Sequence, residues 1–215
     1  MLKTLSNRFW QILTFAILIL MSKFVKLSFV LGSYKAFFTV SQFIAPLAGI
    51  FLGISGMSTI FSIRILSNLF LNKTFSIISL YHIPTFFASL YMVSENRVLK
   101  AAIPLIAMFL FVMHPVGFNV AWYSFYWLVP FAFAFIVTES IFIKCLATTL
   151  TAHCVGTVLY IYTVPSDINF WTNLAQFVWF ERLVFALGMT VCYEAFNLGS
   201  SYISSFFGKK LERFL

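Results

Sequence analysis

Glu194 stands inside a stretch, Leu183 to Phe206, that carries no other charge, 13 residues beyond Glu181 and 12 before Phe206. If that stretch crosses a bilayer as a helix rising about 1.5 Å per residue, the carboxylate lies near the midplane. There an ionised group costs about 2.5 to 3.5 kcal/mol on insertion scales and calls for a function or a partner. Thr190, Glu194, Asn197 and Ser201 recur at helical spacing, so they form one polar stripe, expected to face the bundle interior or a cavity. In the preceding apolar stretch Thr149, His153, Gly156 and Tyr160 share a face in the same way, and His153 comes at a depth similar to that of Glu194. The pair reads as a ligand, proton or ion site, or as two polar residues that tie neighbouring helices together.

A second group gathers at the expected outer end: His114, Asn119, Trp122, Tyr123, Tyr126 and Trp127, followed by Asp167, Asn169, Trp171, Asn173, Gln176, Glu181 and Arg182. Rings at the headgroup level form an ordinary interfacial belt, which accounts for Trp127, Trp171 and Trp179. Aromatic walls with a few amides and a charge pair also suit a small organic ligand. The candidate ligand-binding residues are therefore Asn119, Trp122, Tyr123, Tyr126, His153, Arg182 and Glu194. Cys145, Cys154 and Cys192 lie in or beside apolar runs without CxxC spacing and read as small buried residues rather than a disulfide or zinc framework. No metal and no cofactor is expected.

The elements that must position these residues follow from composition. The chain has 215 residues, of which 61% are hydrophobic, 20% aromatic and only 9% charged, against about half apolar and a quarter charged in an ordinary globular protein. That leaves too little polar surface for a soluble domain. It also excludes disorder, a collagen-like chain and a coiled coil, and points to an all-α, polytopic transmembrane helical bundle. Charge-free stretches run from Ala36 to Ile63, Thr74 to Ser94, Ala101 to Thr138 and Cys145 to Ser166. The third is too long for one crossing, and His114-Pro115-Val116-Gly117 supplies a turn, giving helices of about Arg97 to Met113 and Gly117 to Val137. With Leu183 to Phe206 the expected count is six spans, over a bundle of residues 36–215. Ser58 to Asn72, broken by Arg64, reads as a short tilted helix, a half-helix or an external amphipathic segment.

Residues 1–35 are basic and apolar. The run Gln11 to Met21 imitates a signal peptide but lacks a small-x-small cleavage site, so it is expected to be retained, lying in the interface or adding a seventh, first span. The net charge of +8 would suit nucleic acid in a soluble protein, but the basic residues cluster at the ends and in short loops. With both termini cytoplasmic and the N-terminal run not crossing, 11 of the 14 Lys and Arg fall inside and only Arg64, Lys73 and Arg182 outside, in keeping with the positive-inside rule. No nucleic-acid partner is implied; the expected location is the cell (inner) membrane of a bacterium or archaeon.

Ala45, Gly49 and Gly53 repeat every fourth residue, a spacing that permits close helix approach within the bundle or against a partner. With about six helices, a basic cytoplasmic side and polar groups near the outside, the plan from Ala36 onward resembles the substrate-binding S component of energy-coupling factor vitamin transporters. That resemblance implies docking on a transmembrane coupling subunit through Ala45, Gly49 and Gly53, and capture of a small-molecule solute. The chain begins Met1-Leu2-Lys3 rather than with the metal-binding Met-His start of the cobalt or nickel type. It has no phosphate-binding Gly-x-x-x-x-Gly-Lys-[Ser/Thr] loop, so ATPase subunits would be separate chains.

A second, local resemblance opens an alternative. Gly53-Ile54-Ser55-Gly56 looks like the Gly-x-Ser-Gly motif of rhomboid intramembrane proteases, and Ala152-His153-Cys154-Val155-Gly156 looks like their Ala-His-x-x-Gly motif. It implies Ser55 as nucleophile and His153 as base. Ser55 falls near the outer boundary and His153 near the midplane, so their meeting needs a short or tilted helix. A third class is a non-catalytic membrane assembly protein. The favoured reading is not an enzyme but a protein that binds and passes a small solute.

Overall fold

The structure, a computed structural model, describes residues 2–29, 37–72 and 82–212. In chain order, helix α1 (Leu2–Ser22) leads into a two-stranded antiparallel ribbon, β1 (Lys26–Phe29) with β2 (Phe37–Thr39). Then come α2 (Ser41–Ile44), a 3-10 turn (Ala45–Leu47), α3 (Ala48–Asn72), α4 (Ile83–Val93) and α5 (Arg97–Met113). They are followed by α6 (Pro115–Asn119), a 3-10 helix (Ala121–Trp127), α7 (Leu128–Phe133), α8 (Ile141–Thr163) and α9 (Ile168–Glu212).

Several helix starts are written in the sequence. Asn96 Oδ1 accepts from the amides of Val98 and Leu99 at 2.9 and 3.1 Å and so caps α5. His114 ends α5 and opens α6, its Nδ1 accepting from the Val116 amide, with Pro115 in the first helical position. Asp167 Oδ1 accepts from the Phe170 amide at 2.8 Å, which starts α9 at Ile168. Residues from Asn169 to Arg182, expected near an outer loop, are therefore helical. Inside the apolar helices, the hydroxyls of Thr151 and Thr190 donate to the carbonyls one turn back, Ala147 and Ala186, so they need no partner across the bundle.

The described residues are all-α apart from the ribbon, and among them three stretches are long and apolar enough to cross a membrane: Ser41–Leu66, Ile141–Thr163 and Ile168–Gly199. Arg8–Ser22 and Ile83–Val93 are apolar but shorter. The expected span from Thr74 begins outside the described residues, and its described part is α4. The expected helix Gly117 to Val137 is instead three short pieces, which run back along α5 from His114 to the start of that helix.

The stretch Ser41–Leu66 is bent. Gly53 holds φ +67° and ψ 179° inside α3, a backbone conformation essentially restricted to glycine. The chain enters this stretch beside the C-terminal end of α1, where the Val40 amide donates to the Val25 carbonyl at 3.1 Å. It passes Phe15, whose ring lies 6.0 Å from that of Phe51, and returns so that Arg64 lines one groove with Lys23 and His82. Lys23 and Arg64, assigned to opposite faces by charge counting, thus share one end of the molecule, because the break at Gly53 turns the second leg back.

Two apolar clusters join these elements. In one, Phe15 and Ile19 of α1 pack with Ile44, Leu47, Met57 and Phe61 and with Cys145, Ala186 and Met189 of α8 and α9, so α1 belongs to the same core. In the other, Phe111 stands edge-on to Trp127 and Trp171 at centroid distances of 5.3 and 5.4 Å, pairs worth about 0.5–1.5 kcal/mol each beyond their buried area. Helix α8 is the hub, in contact with α4, α5, α7 and α9. The small-residue ladder is used within the chain at two of its three positions: Ala45 and Gly49 are buried. The Gly49 amide donates to Ser89 Oγ of α4 at 2.8 Å, and a Cβ there would lie 2.6 Å from the Ser89 carbonyl oxygen.

Candidate functional site

The 3-10 helix Ala121–Trp127 turns once every three residues, and its side chains follow that period. Trp122, Phe125 and Leu128 point outward, whereas Tyr123, Ser124 and Trp127 are buried and Tyr126 is half-buried. Tyr126 Oη donates to the Ala175 carbonyl of α9 at 3.0 Å. Tyr123 reaches α8, with its hydroxyl 3.1 Å from His153 Nε2 and its ring 5.3 Å from that of Trp171. Trp127 and Trp171, expected in an interfacial belt, are 0% and 1% exposed because their rings fill the space between the broken segment, α5 and α9. Trp179, by contrast, is exposed.

One turn of α8 before His153, Thr149 Oγ1 accepts from Arg182 Nη1 at 3.3 Å. Arg182 is only 7% exposed. Its Nη2 donates to Glu181 Oε2, also at 3.3 Å, and its guanidinium carbon lies 4.6 Å from the centre of the Phe185 ring. This charge is close enough to His153 and Tyr123 to act on both electrostatically. Three donors in this region are buried without a protein partner: Arg182 Nε, Trp127 Nε1 and the hydroxyl of Thr148. Leaving such groups unpaired costs about 1–3 kcal/mol each, more for a charged one, so they are acceptor-seeking positions.

Thr148 also lines a cleft of about 680 Å³ at the start of α8, together with Glu95, Arg97, Lys100, Glu139, Lys144 and Tyr193. Lys100 Nζ sits 5.3 Å from the centre of the Tyr91 ring on one wall. Lys144 and Thr148 at the cleft, then Thr149, His153 and Thr157, form a column of polar groups along α8. The cleft opens at the Arg97 and Lys144 end, opposite to the Asn119 and Trp122 end where a pocket was expected.

No family model, no curated protein and no solved structure matches this chain. Its chemistry must be read from the side chains themselves.

Of the seven sequence candidates, Tyr123, Tyr126, His153 and Arg182 come together between the 3-10 helix, α8 and α9. Asn119 is exposed and donates to the carbonyl of Pro115 in its own turn, and Trp122 is exposed. Glu194 is exposed as well and lies beside Tyr193 at the cleft end. α9 begins at Ile168, so Arg182 lies inside it, within the apolar stretch Ile168–Gly199, and His153 meets Tyr123 rather than the expected Glu194. Ser55 is exposed, and among the described residues no hydrogen bond joins it to His153. Thr148, Glu181 and Trp127 were not singled out as ligand contacts. The signal that could have found them is their spacing from Thr149, Arg182 and Tyr123 once the helix starts at Ser140 and Asp167 are recognised. The three cysteines are free thiols, with Cys145 and Cys154 buried.

Proposed function

We propose that this chain is an integral membrane protein that binds a small solute and passes it along the seam between α8 and α9. The observation that carries this reading is Arg182: a guanidinium buried within the long apolar stretch Ile168–Gly199 of α9, with one nitrogen unpaired and a histidine–tyrosine pair one turn away. A charge so placed is expensive unless a partner or solute uses it, and a guanidinium suits a solute bearing carboxylate or phosphate oxygens. The cleft at Lys100, Lys144 and Thr148 gives access from one side.

In this reading the chain crosses six times, through α1, the stretch whose described part is α4, α5, the broken segment 115–134, α8 and α9, while Ser41–Leu66 enters and turns back at Gly53. Both termini, the cleft and Lys144 then lie on the cytoplasmic side. As the specificity subunit of a larger transporter, the chain would dock through a surface other than Ala45 and Gly49, which α4 already covers.

The test is a thermal-shift screen of small organic anions against purified protein. A true ligand raises the unfolding temperature with concentration, by about 2.7 kcal/mol of stabilisation at a hundredfold excess over Kd. The shift disappears in Arg182→Met if the reading is right, and persists there if it is wrong.

A further inference from the structure

An apolar groove of about 370 Å³ runs between α1 and the second leg of α3, lined by none of the residues around Arg182. Along α1 it is lined by Phe9, Ile12, Leu13, Ala16, Ile19 and Leu20, a three-and-four spacing that makes one continuous stripe. From Phe9 to Lys23 that stripe is roughly 20 Å long at 1.5 Å per residue, more than one leaflet's share of a hydrocarbon core about 30 Å thick. The far end is closed by Lys23, Arg64 and His82, and among the described residues no acidic side chain lines the groove. A long apolar trough ending in basic side chains has the shape and polarity of a two-part ligand, hydrocarbon at one end and anion at the other.

We infer that this groove holds an acyl chain of an anionic phospholipid, with the lipid phosphate against Lys23, Arg64 and His82. The electrostatics at the closed end agree. His82 offers a hydrogen-bonding ring beside the two charges of Lys23 and Arg64. Burial and then Arg64 lower the Lys23 ammonium. A phosphate placed there lies against two positively charged side chains. Zwitterionic phosphatidylcholine carries the same phosphate beside its own cation and gains less.

The inference is tested by native mass spectrometry of the purified, delipidated protein offered phosphatidylglycerol and phosphatidylcholine in equal amounts. Wild type is expected to retain phosphatidylglycerol over phosphatidylcholine by roughly tenfold, as is Arg8→Gln, which removes a charge from α1 outside the groove. Lys23→Gln with Arg64→Gln is expected to bring the two lipids to parity. Lys23→Gln alone, at an exposed position that should not disturb folding, is expected to lower the preference about threefold. Equal retention by wild type, or an unchanged preference in Lys23→Gln, overturns the inference. Displacement of phosphatidylglycerol by millimolar inorganic phosphate overturns the lipid in favour of a plain anion site.

Discussion

Arg182 of α9 donates a hydrogen bond to Thr149 of α8 across 3.3 Å, and this contact between residues 33 positions apart ties the two helices together. Thr149→Val keeps the side-chain shape but leaves that guanidinium nitrogen without its acceptor, so a loss of about 1–3 kcal/mol is expected. Arg182→Met also strands Glu181 and should cost about 3 kcal/mol or more. The double variant should fall short of the sum, since the two share one contact. Unfolding midpoints in a single detergent measure all three.

Tyr123→Phe removes only the hydroxyl that faces His153 and keeps the ring against Phe111 and Trp171. The expected cost is about 1 kcal/mol. A double-mutant cycle between Tyr123 and His153 should show coupling of at least about 0.5 kcal/mol, whereas one between His153 and Glu194 should be additive within that margin. Glu194→Gln alone should change stability by less than about 0.5 kcal/mol, as surface substitutions do.

Glycine positions separate two causes of one sequence pattern. Gly53→Ala meets open space, so its expected cost of about 1–3 kcal/mol is conformational and comes with straightening of the bend. Gly49→Ala drives a methyl into the backbone of α4 and should destabilise by a comparable amount while leaving the bend alone. A distance measured by spin labels between Lys23→Cys and Arg64→Cys distinguishes them: it should lengthen in Gly53→Ala and stay unchanged in Gly49→Ala.

The helical class and most helix positions were legible because apolar runs and turn signals such as His114-Pro115 are local features of the chain. The buried charge was misplaced for an equally local reason. The start of α9 depends on one Asp167 cap that competes with a string of polar residues, Asn169, Asn173 and Gln176, which imitate a loop. Starting the helix at Ile168 instead of Leu183 brings Arg182, expected in a loop, inside it. The bend in α3 was hidden inside an apparent packing motif, because Gly53 looks the same whether it lets a neighbour approach or lets the backbone reverse. Tyr123 and His153 were both named, but their meeting depends on a 3-10 turn whose three-residue period only the folded backbone reveals.

The central claim is that Arg182 and the polar seam beside it hold a small solute. Native mass spectrometry of the protein, gently solubilised from its own membrane, tests this most directly when wild type and Arg182→Met are compared at equal helicity. The account expects a small-molecule adduct on the wild type that is absent from Arg182→Met and kept in Glu194→Gln. An adduct carried equally by Arg182→Met, or lost only in Glu194→Gln, would contradict it.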